Sequence, residues 1–463
     1  MVATFPSPMP SQKAEKRILV AIWVYFGLLI FEGALRKWVL PQLSAPLLVV
    51  RDPVVLYMYW QAWQAGVFPR NRWITIIFGL SIAFTLGGLL VPLLTSEGLG
   101  GGIPISRSLL IIAYGIRTNF LHLPLIFLMA RVLSFQDVIK IGRWILIAGI
   151  PIALLMILQF GLPSNHILNV GAGGEEAVQI QAALGRIRPP GPFTFISGPI
   201  GYMPLMTAFL LYGLLTPGSF SPMLLISSSL GLGAATVVSI SRSLLGSVLI
   251  VFFIGLLTTY FNRPQLVKQI SKIIVILSIV SFAIILFDTL LSGEESFLDQ
   301  GLATFQARVT TAGRSEGGFE GFVARFLSGF DPFARIDGSL PLFGFGVGLG
   351  TNTGAALVTG QRTFLLGAEG EWDRIVVESG PILGLSFILL RVSLAVWLGM
   401  LSFSQIKMGN ILSWLLFTTC AINLSIGQFG PPTSLGFAIF SSGLCLSACQ
   451  GWLKMQYKNS PNT

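Results

Sequence analysis

Charged residues are scarce in this chain. Only 10% of its 463 residues are Asp, Glu, Lys or Arg, while 53% are apolar and the mean hydropathy is +0.79. A soluble globular domain carries about 25% charged residues, because it must cover its surface for water. This composition therefore excludes a soluble globular protein and indicates one that crosses a membrane several times.

Cysteine and histidine are also rare. The cysteines are Cys420, Cys445 and Cys449, and the histidines are His122 and His166. The cysteines lie in the last two apolar stretches, and no residue of either type has other ligands at metal-binding spacing. The sequence thus predicts no disulfide framework and no metal site, and we expect no cofactor.

Long apolar runs recur along the whole chain, and most approach the length that a membrane-spanning helix needs. They predict an all-α polytopic membrane protein with about 12 transmembrane helices. Arg51 and Asp52 interrupt the second run, which makes it the weakest of the set. The predicted spans are 17–35, 44–64, 73–92, 108–131, 141–161, 194–215, 222–239, 243–261, 271–291, 380–403, 410–427 and 431–450.

Positive charge is distributed unevenly between the connecting segments. When the spans alternate in direction, every lysine except Lys37 falls on the side of the N-terminus or at its edge. Cytoplasmic loops carry an excess of Lys and Arg, so we expect both termini in the cytoplasm. This placement accounts for the net charge of +10 without a nucleic-acid-binding stripe, and we expect no nucleic acid partner.

Two segments on the opposite side are longer than simple connectors. The longer one carries Phe and Trp throughout, which argues against disorder and favours short helices over the membrane mouth. The predicted organisation is a disordered cytoplasmic tail at 1–16, nine spans within 17–291 that include the outer loop 162–193, a large extracytoplasmic loop at 292–379, three spans within 380–450 and a cytoplasmic tail at 451–463.

The outer segments are rich in arginine. A guanidinium binds phosphate or carboxylate through two parallel hydrogen bonds, so several arginines could converge on one extracytoplasmic anion. The alternative is that the arginines of the large loop pair with that loop's own acids. The candidate anion ligands are Arg186, Arg188, Arg242, Arg314 and Arg374.

Glycine occupies every second position from Gly344 to Gly350. Such a segment could bring backbone amides close to a phosphate or a sugar, or it could form a tight re-entrant turn. It lacks the Gly-Lys-Ser/Thr ending of a P-loop and does not fit a dinucleotide fingerprint.

An acidic run from Glu369 to Glu378 leads into the tenth predicted span. Glu369 or Glu371 could act as a general base on a hydroxyl group. The alternative is an interfacial salt-bridge cluster with Trp372 as an anchor, in which Arg374 and Glu378 form an i,i+4 pair. Further ionisable residues fall inside predicted spans, where structural pairing explains much of their presence: Glu32, Arg51, Asp52, Arg117, Asp288 and Arg391.

Four short motifs together resemble the O-antigen ligase/polymerase superfamily. They are the Arg-Pro-Pro-Gly-Pro-Phe run at 188–193, Ser-Arg-Ser at 241–243, the Pro-x-x-Gly-x-Gly element from Pro341, and Glu-Ser-Gly at 378–380. Their order and predicted side agree with that family. The resemblance covers roughly residues 185–390.

The resemblance implies a C-type glycosyltransferase fold in the bacterial plasma membrane. It implies transfer of a glycan from undecaprenyl diphosphate to an acceptor hydroxyl, with arginines holding the diphosphate, with no metal, and with a flippase and a chain-length regulator as further partners. One departure concerns the base. Ligases of the family usually carry a His-Asn pair where this chain has Glu369-Gly370. Either Glu369 or Glu371 replaces that histidine as the base, or the chain belongs to a polymerase branch that does not use one, and the departure weakens the ligase interpretation.

Two other function classes remain as alternatives. A secondary transporter or a flippase of lipid-linked glycans would typically show two related halves and charges near the membrane midplane. We find no repeat between residues 1–230 and 231–463. A membrane scaffold or receptor would leave the arginine-rich outer segments without a purpose.

Overall fold

The computed structural model describes residues 12–94, 105–179, 181–183, 186–262, 340–360 and 370–459, with isolated positions between 262 and 370. Eight helices in these ranges are long and apolar enough to cross a membrane, and two shorter apolar helices accompany them. The chain is therefore an all-α membrane protein. Regular β structure in the described ranges is limited to two small antiparallel hairpins between the sixth and seventh helices.

The helices are numbered here in chain order. They are α1 (Gln12–Ala34), α2 (Asp52–Gln64), α3 (Arg72–Leu94), α4 (Ile105–Ile116), α5 (Leu123–Val132), α6 (Phe135–Gly161), α7 (Ser197–Leu215), α8 (Pro222–Val238), α9 (Arg242–Asn262), α10 (Asn352–Thr359), α11 (Glu371–Lys407), α12 (Ile411–Ser425) and α13 (Pro432–Asn459). The hairpins pair β1 (Val170–Gly171) with β2 (Gly174–Val178) and β3 (Gln181–Ala183) with β4 (Arg186–Ile187).

The predicted second span differs from the structure. The segment predicted as 44–64 becomes regular α-helix only at Asp52, and α2 has 13 residues. Two 3₁₀ turns, Pro41–Leu43 and Pro46–Val49, precede it. Each turn begins with proline, which fixes φ and lacks the N–H that an α-helix would need there.

Most other predicted spans coincide with described helices, and one lies outside them. The tenth span begins earlier than predicted, because α11 starts at Glu371 and continues through a kink at Gly380. Most of the predicted span 271–291 falls outside the described residues, as do most of residues 292–339 and 361–369 of the predicted loop 292–379. A total of twelve spans therefore stays a prediction.

The centre of the bundle is α13. In its apolar window 89% of residues are buried, against 28% for α9 at the periphery. Small residues let the helices approach closely, as is usual where lipid replaces water around a bundle. A Cβ atom at Gly201 of α7 would lie 2.6 Å from the ring of Phe437 on α13, and one at Gly142 of α6 would lie 2.2 Å from the ring of Phe209.

Helix α1 packs against backbone rather than side chains near its end. A Cβ atom at Gly33 would lie 2.5 Å from the backbone of Phe193 and from the carbonyl oxygen of Pro192. The ring of Phe193 is buried and contacts Tyr202 and Phe437. This contact fixes the segment before α7 to the end of α1.

Replacement of Gly33 by leucine should therefore destabilise the bundle, whereas the same change at Gly27 should not. Overpacking typically costs about 1–3 kcal/mol, and here the obstructing atoms are backbone. No atom lies within 4 Å of a Cβ built at Gly27, so Gly27→Leu is the matched control on the same helix. Thermal unfolding in detergent measures both; equal midpoints for the two variants would contradict this packing.

Candidate functional site

The motif arginines Arg188 and Arg242 lie at the same end of the bundle. Helices α7 and α9 pack against each other, and a Cβ at Gly255 of α9 would lie 3.5 Å from the Leu211 side chain of α7. Gly255 comes thirteen residues after Arg242, and Leu211 fourteen after Ser197, where α7 begins. The two helices are thus parallel and in register, because each residue advances a helix by 1.5 Å.

The Pro-Gly segment that follows Arg188 is buried and held from two sides. Gln159 of α6 bonds Gly191 reciprocally, accepting from its N–H at 2.7 Å and donating to its carbonyl at 3.2 Å. The ammonium group of Lys37 donates to the same carbonyl at 2.7 Å. Gly191 has φ +60°, a conformation that favours glycine. The segment that follows Arg188 is therefore held by Gln159 of α6 and by Lys37, just beyond the end of α1.

Arg188 and Lys37 supply positive charge at this end of the bundle. The Nε atom of Arg188 is buried without a hydrogen-bond partner among the described atoms. Lys37 is 2% exposed, its ammonium group also lies over the Trp38 ring, and it forms no ion pair within the described part of the chain. Arg186, on β4, donates to the Phe160 carbonyl at 2.9 Å and packs over the Phe160 ring.

The glycine-rich segment is a tight loop bound to the first turns of α11. A Cβ at Gly348 would lie 2.5 Å from the Ile111 carbonyl oxygen in α4, so the loop packs directly against the candidate span Ser106–Val132. The N–H groups of Gly348 and Gly350 donate to the two carboxylate oxygens of Glu378, at 3.0 and 2.8 Å. Irregular backbone at membrane depth needs such internal partners, which Glu378 provides.

Backbone contacts lock this loop to the kink in α11. Gly344 has φ +67° and Gly380 has φ +78°. A Cβ at Gly344 would lie 2.5 Å from the Glu378 carbonyl carbon, and one at Gly380 would lie 2.0 Å from the Leu342 oxygen. The Pro-x-x-Gly-x-Gly element from Pro341 and the Glu-Ser-Gly motif at 378–380 therefore form one structural unit, in which two amides of the glycine-rich segment also bind Glu378.

Glu371 is held by two buried arginines. Its Oε1 accepts from Arg374 Nη2 at 2.8 Å and from Arg391 Nη1 at 2.9 Å, while Oε2 accepts from Arg374 Nε at 3.0 Å. Arg374 also donates to Glu378 at 2.8 Å, which completes a cluster of two carboxylates and two guanidiniums. Hydrogen bonds to cations thus occupy both carboxylate oxygens of Glu371.

Arg391 joins this cluster to the end of α12. Its guanidinium donates to the carbonyl oxygens of Leu424, Asn423 and Gly427, at 2.8, 3.2 and 2.5 Å. It also lies 3.7 Å from the centre of the Phe429 ring. The last carbonyls of a helix have no partners within it and carry partial negative charge, so a buried arginine stabilises this helix end.

A second buried network surrounds the start of α2. Asp52 accepts from Arg117 at 2.7 and 2.9 Å and contacts His122 Nε2 at 3.0 Å. The other nitrogen of His122 lies 3.1 Å from the Tyr25 hydroxyl group. Because His122 joins Asp52 to Tyr25, the three groups form one hydrogen-bonded chain inside the bundle.

Glu32 extends the second network along α1. It pairs with Arg36 at 3.3 Å and with Arg51 at 3.1 Å, and Arg51 in turn donates to the Pro432 carbonyl at the start of α13. Buried charge near this end of α1 is therefore linked to the central helix of the bundle.

The π-helical segment Arg117–Leu121 connects the two networks. Arg117 faces Asp52, while Asn119 accepts from Arg374 Nη2 at 3.0 Å. Three consecutive residues of this segment have buried polar atoms without a described hydrogen-bond partner: Arg117 Nη1, Thr118 Oγ1 and Asn119 Nδ2. Such π-helical turns frequently occur at functional sites.

The predicted site residues fall into three groups. Arg188 and Arg242 lie at the shared end of the bundle with Arg186, whereas Glu371 and Arg374 belong to the buried cluster of α11. Arg314 and Glu369 lie outside the described residues. Among the described residues, no group of three His, Cys, Asp or Glu side chains could hold a metal ion.

Sequence reasoning did not assign roles to Lys37, Gln159 and Asn119. The charge distribution along the sequence sets Lys37 apart, since it is the one lysine on the predicted outer side. Gln159 and Asn119 are polar residues within apolar stretches, a pattern that marks functional or structural contacts in membrane helices. Their partners lie far away in sequence, so the pattern could not reveal them.

Comparison with protein-family models, with curated proteins and with solved structures found no match to this chain.

Loss of the Glu371 carboxylate should strongly destabilise the protein. Glu371→Ala leaves Arg391 buried without an ionic partner, and breaking a buried pair costs about 3–5 kcal/mol. Removing Arg391 as well should cost less than the sum of the single changes, with a coupling of about 1–3 kcal/mol. Unfolding by SDS titration in mixed micelles measures this cycle.

The matched control is the Asp137–Lys140 pair, 3.6 Å apart with the lysine side chain 67% exposed. Its alanine cycle should give a coupling below about 0.5 kcal/mol. A coupling between Glu371 and Arg391 as small as that of the control would show that the buried pair has no special energetic role.

Proposed function

We propose that this protein is a polysaccharide polymerase or ligase of the bacterial plasma membrane. It transfers a glycan from an undecaprenyl-diphosphate carrier to an acceptor hydroxyl at the outer face. The proposal rests on the motif resemblance together with the arrangement of cations at one end of the bundle. The acceptor is another glycan or a lipid.

The observation that carries the proposal is the position of Arg188. Its backbone is anchored through Gly191 by Gln159 and Lys37, while its buried Nε has no described hydrogen-bond partner. An arginine held in place with an unused donor suits a diphosphate, which accepts hydrogen bonds and carries negative charge. Arg242 begins α9 at the same end of the bundle.

The proposed reaction inverts the anomeric carbon. The acceptor oxygen forms a bond to that carbon, and the bond from the carbon to the diphosphate oxygen breaks with its electron pair. Arg186, Arg188, Arg242 and Arg314 stabilise the negative charge that develops on the leaving undecaprenyl diphosphate. The acceptor proton passes to a carboxylate base.

The buried cluster of α11 supports this site rather than performing the proton transfer. Two arginines already donate to Glu371, so a substrate hydroxyl would have to displace one of them. Glu369, close before α11, is the remaining candidate for the base. Arg374 holds Glu371 and Glu378, and through Glu378 it fixes the glycine-rich loop.

Transport of a lipid-linked glycan is the second candidate function, and a specific observation favours it. Buried charges surround helices that are interrupted at Pro41–Val49, Arg117–Leu121 and Gly380. Interrupted helices with buried charges near the membrane centre are typical of substrate sites in transporters. A flippase would move the carrier across the membrane without changing the glycan length.

Replacement of Arg188 by alanine should reduce glycan transfer by at least about 10²-fold, the effect expected for one donor that stabilises transition-state charge. The assay uses proteoliposomes with an undecaprenyl-diphosphate-linked repeat unit and follows glycan length on gels. Arg143→Ala, an exposed arginine on α6 outside the proposed site, is the control and should retain transfer.

The same proteoliposomes distinguish the two functions. Longer chains formed by the unaltered protein indicate a polymerase, whereas movement of labelled carrier between leaflets at constant glycan length indicates a flippase. Full transfer by Arg188→Ala, at normal membrane levels, would contradict the proposed diphosphate site.

A further inference from the structure

A cavity of about 480 Å³ lies between α1 and α2. Apolar side chains form most of its lining, and two cations lie at one end. The lining residues are Lys16, Arg17, Val20, Ala21, Val24, Pro53, Val54 and Tyr57.

The cavity is an elongated groove on the surface of the bundle. Its α1 residues recur at intervals of three or four from Lys16 to Val24, which places them on one helical face over about 12 Å. Val20 is 61% exposed and Val24 is 46% exposed, so the groove is open toward the surrounding membrane. Ala21 contributes only a methyl group to the lining.

The two cations have no acidic partner in the described part of the chain. Arg17 donates to the Gln61 side chain at 3.5 Å, and neither Lys16 nor Arg17 forms an ion pair there. Both side chains are exposed and can extend toward a lipid headgroup while their stems follow the apolar surface.

From this geometry we infer that the groove binds an anionic phospholipid. The phosphate contacts Lys16 and Arg17, and an acyl chain lies along Val20, Val24 and Val54. Anionic lipids are enriched in the cytoplasmic leaflet, and the positive-inside pattern places Lys16 and Arg17 on that side. This inference is independent of glycan transfer.

Native mass spectrometry of the full chain tests the headgroup contact with two probes, phosphatidylglycerol and phosphatidylcholine. The double variant Lys16→Ala/Arg17→Ala should weaken phosphatidylglycerol binding about fivefold or more and phosphatidylcholine binding by a clearly smaller factor, because the choline cation of that headgroup offsets the charge of its phosphate. The control Arg70→Ala/Arg72→Ala removes two exposed cations that do not line the groove. An equal loss in both double variants, or no loss in the first, would overturn the inference.

A second pair of variants tests the acyl-chain contact. Val24→Trp should fill the groove and reduce the retention of both lipids, whereas Leu86→Trp, on the exposed face of α3, should not. Equal lipid retention by these two variants would show that the groove holds no acyl chain. Size-exclusion profiles confirm that each variant is folded, so a lost lipid is not a lost fold.

Discussion

The arrangement of this bundle depends on one constraint: polar groups within membrane depth must find partners inside the protein. Lipid offers no hydrogen bonds, so a broken helix or a re-entrant loop leaves costly unsatisfied groups. Glu378 meets this need for the glycine-rich loop, and Arg391 meets it for the end of α12. Because Arg374 and Glu371 join these two residues, one ionic cluster holds the glycine-rich loop and the end of α12 together.

The second network follows the same principle around the start of α2. The chain from Leu35 to Asp52 passes through a π-helical segment and two 3₁₀ turns instead of a continuous helix. In this irregular stretch Arg36 and Arg51 pair with Glu32 of α1. Asp52 pairs with Arg117 and His122, which lie between α4 and α5. Burying these charges is tolerable because each forms several hydrogen bonds, and it also fixes the geometry of the segment.

The buried cations differ in whether a carboxylate of the protein binds them, and this difference is relevant to function. Arg374 and Arg391 of α11 bind carboxylates of their own helix, and the resulting cluster supports the glycine-rich loop and the end of α12. Lys37 and the Nε of Arg188 differ, since their described environment contains no carboxylate partner. If an anionic substrate binds this end of the bundle, these two positions are already ordered by the packing of α1 and α6, and little reorganisation is needed.

The sequence by itself determined the membrane class, most of the helical spans and the presence of arginine-rich motifs, because hydropathy and composition are local properties. It also indicated that Arg374 and Glu378 share a helix face. Only the tertiary structure decided that Glu378 binds the amides of Gly348 and Gly350, that Arg391 caps α12, and that Asn119 joins the two networks. These contacts link residues that are 28 to 255 positions apart in the sequence. A periodic pattern of apolar residues predicts a helix and its buried face, but it does not predict which distant helices pack together.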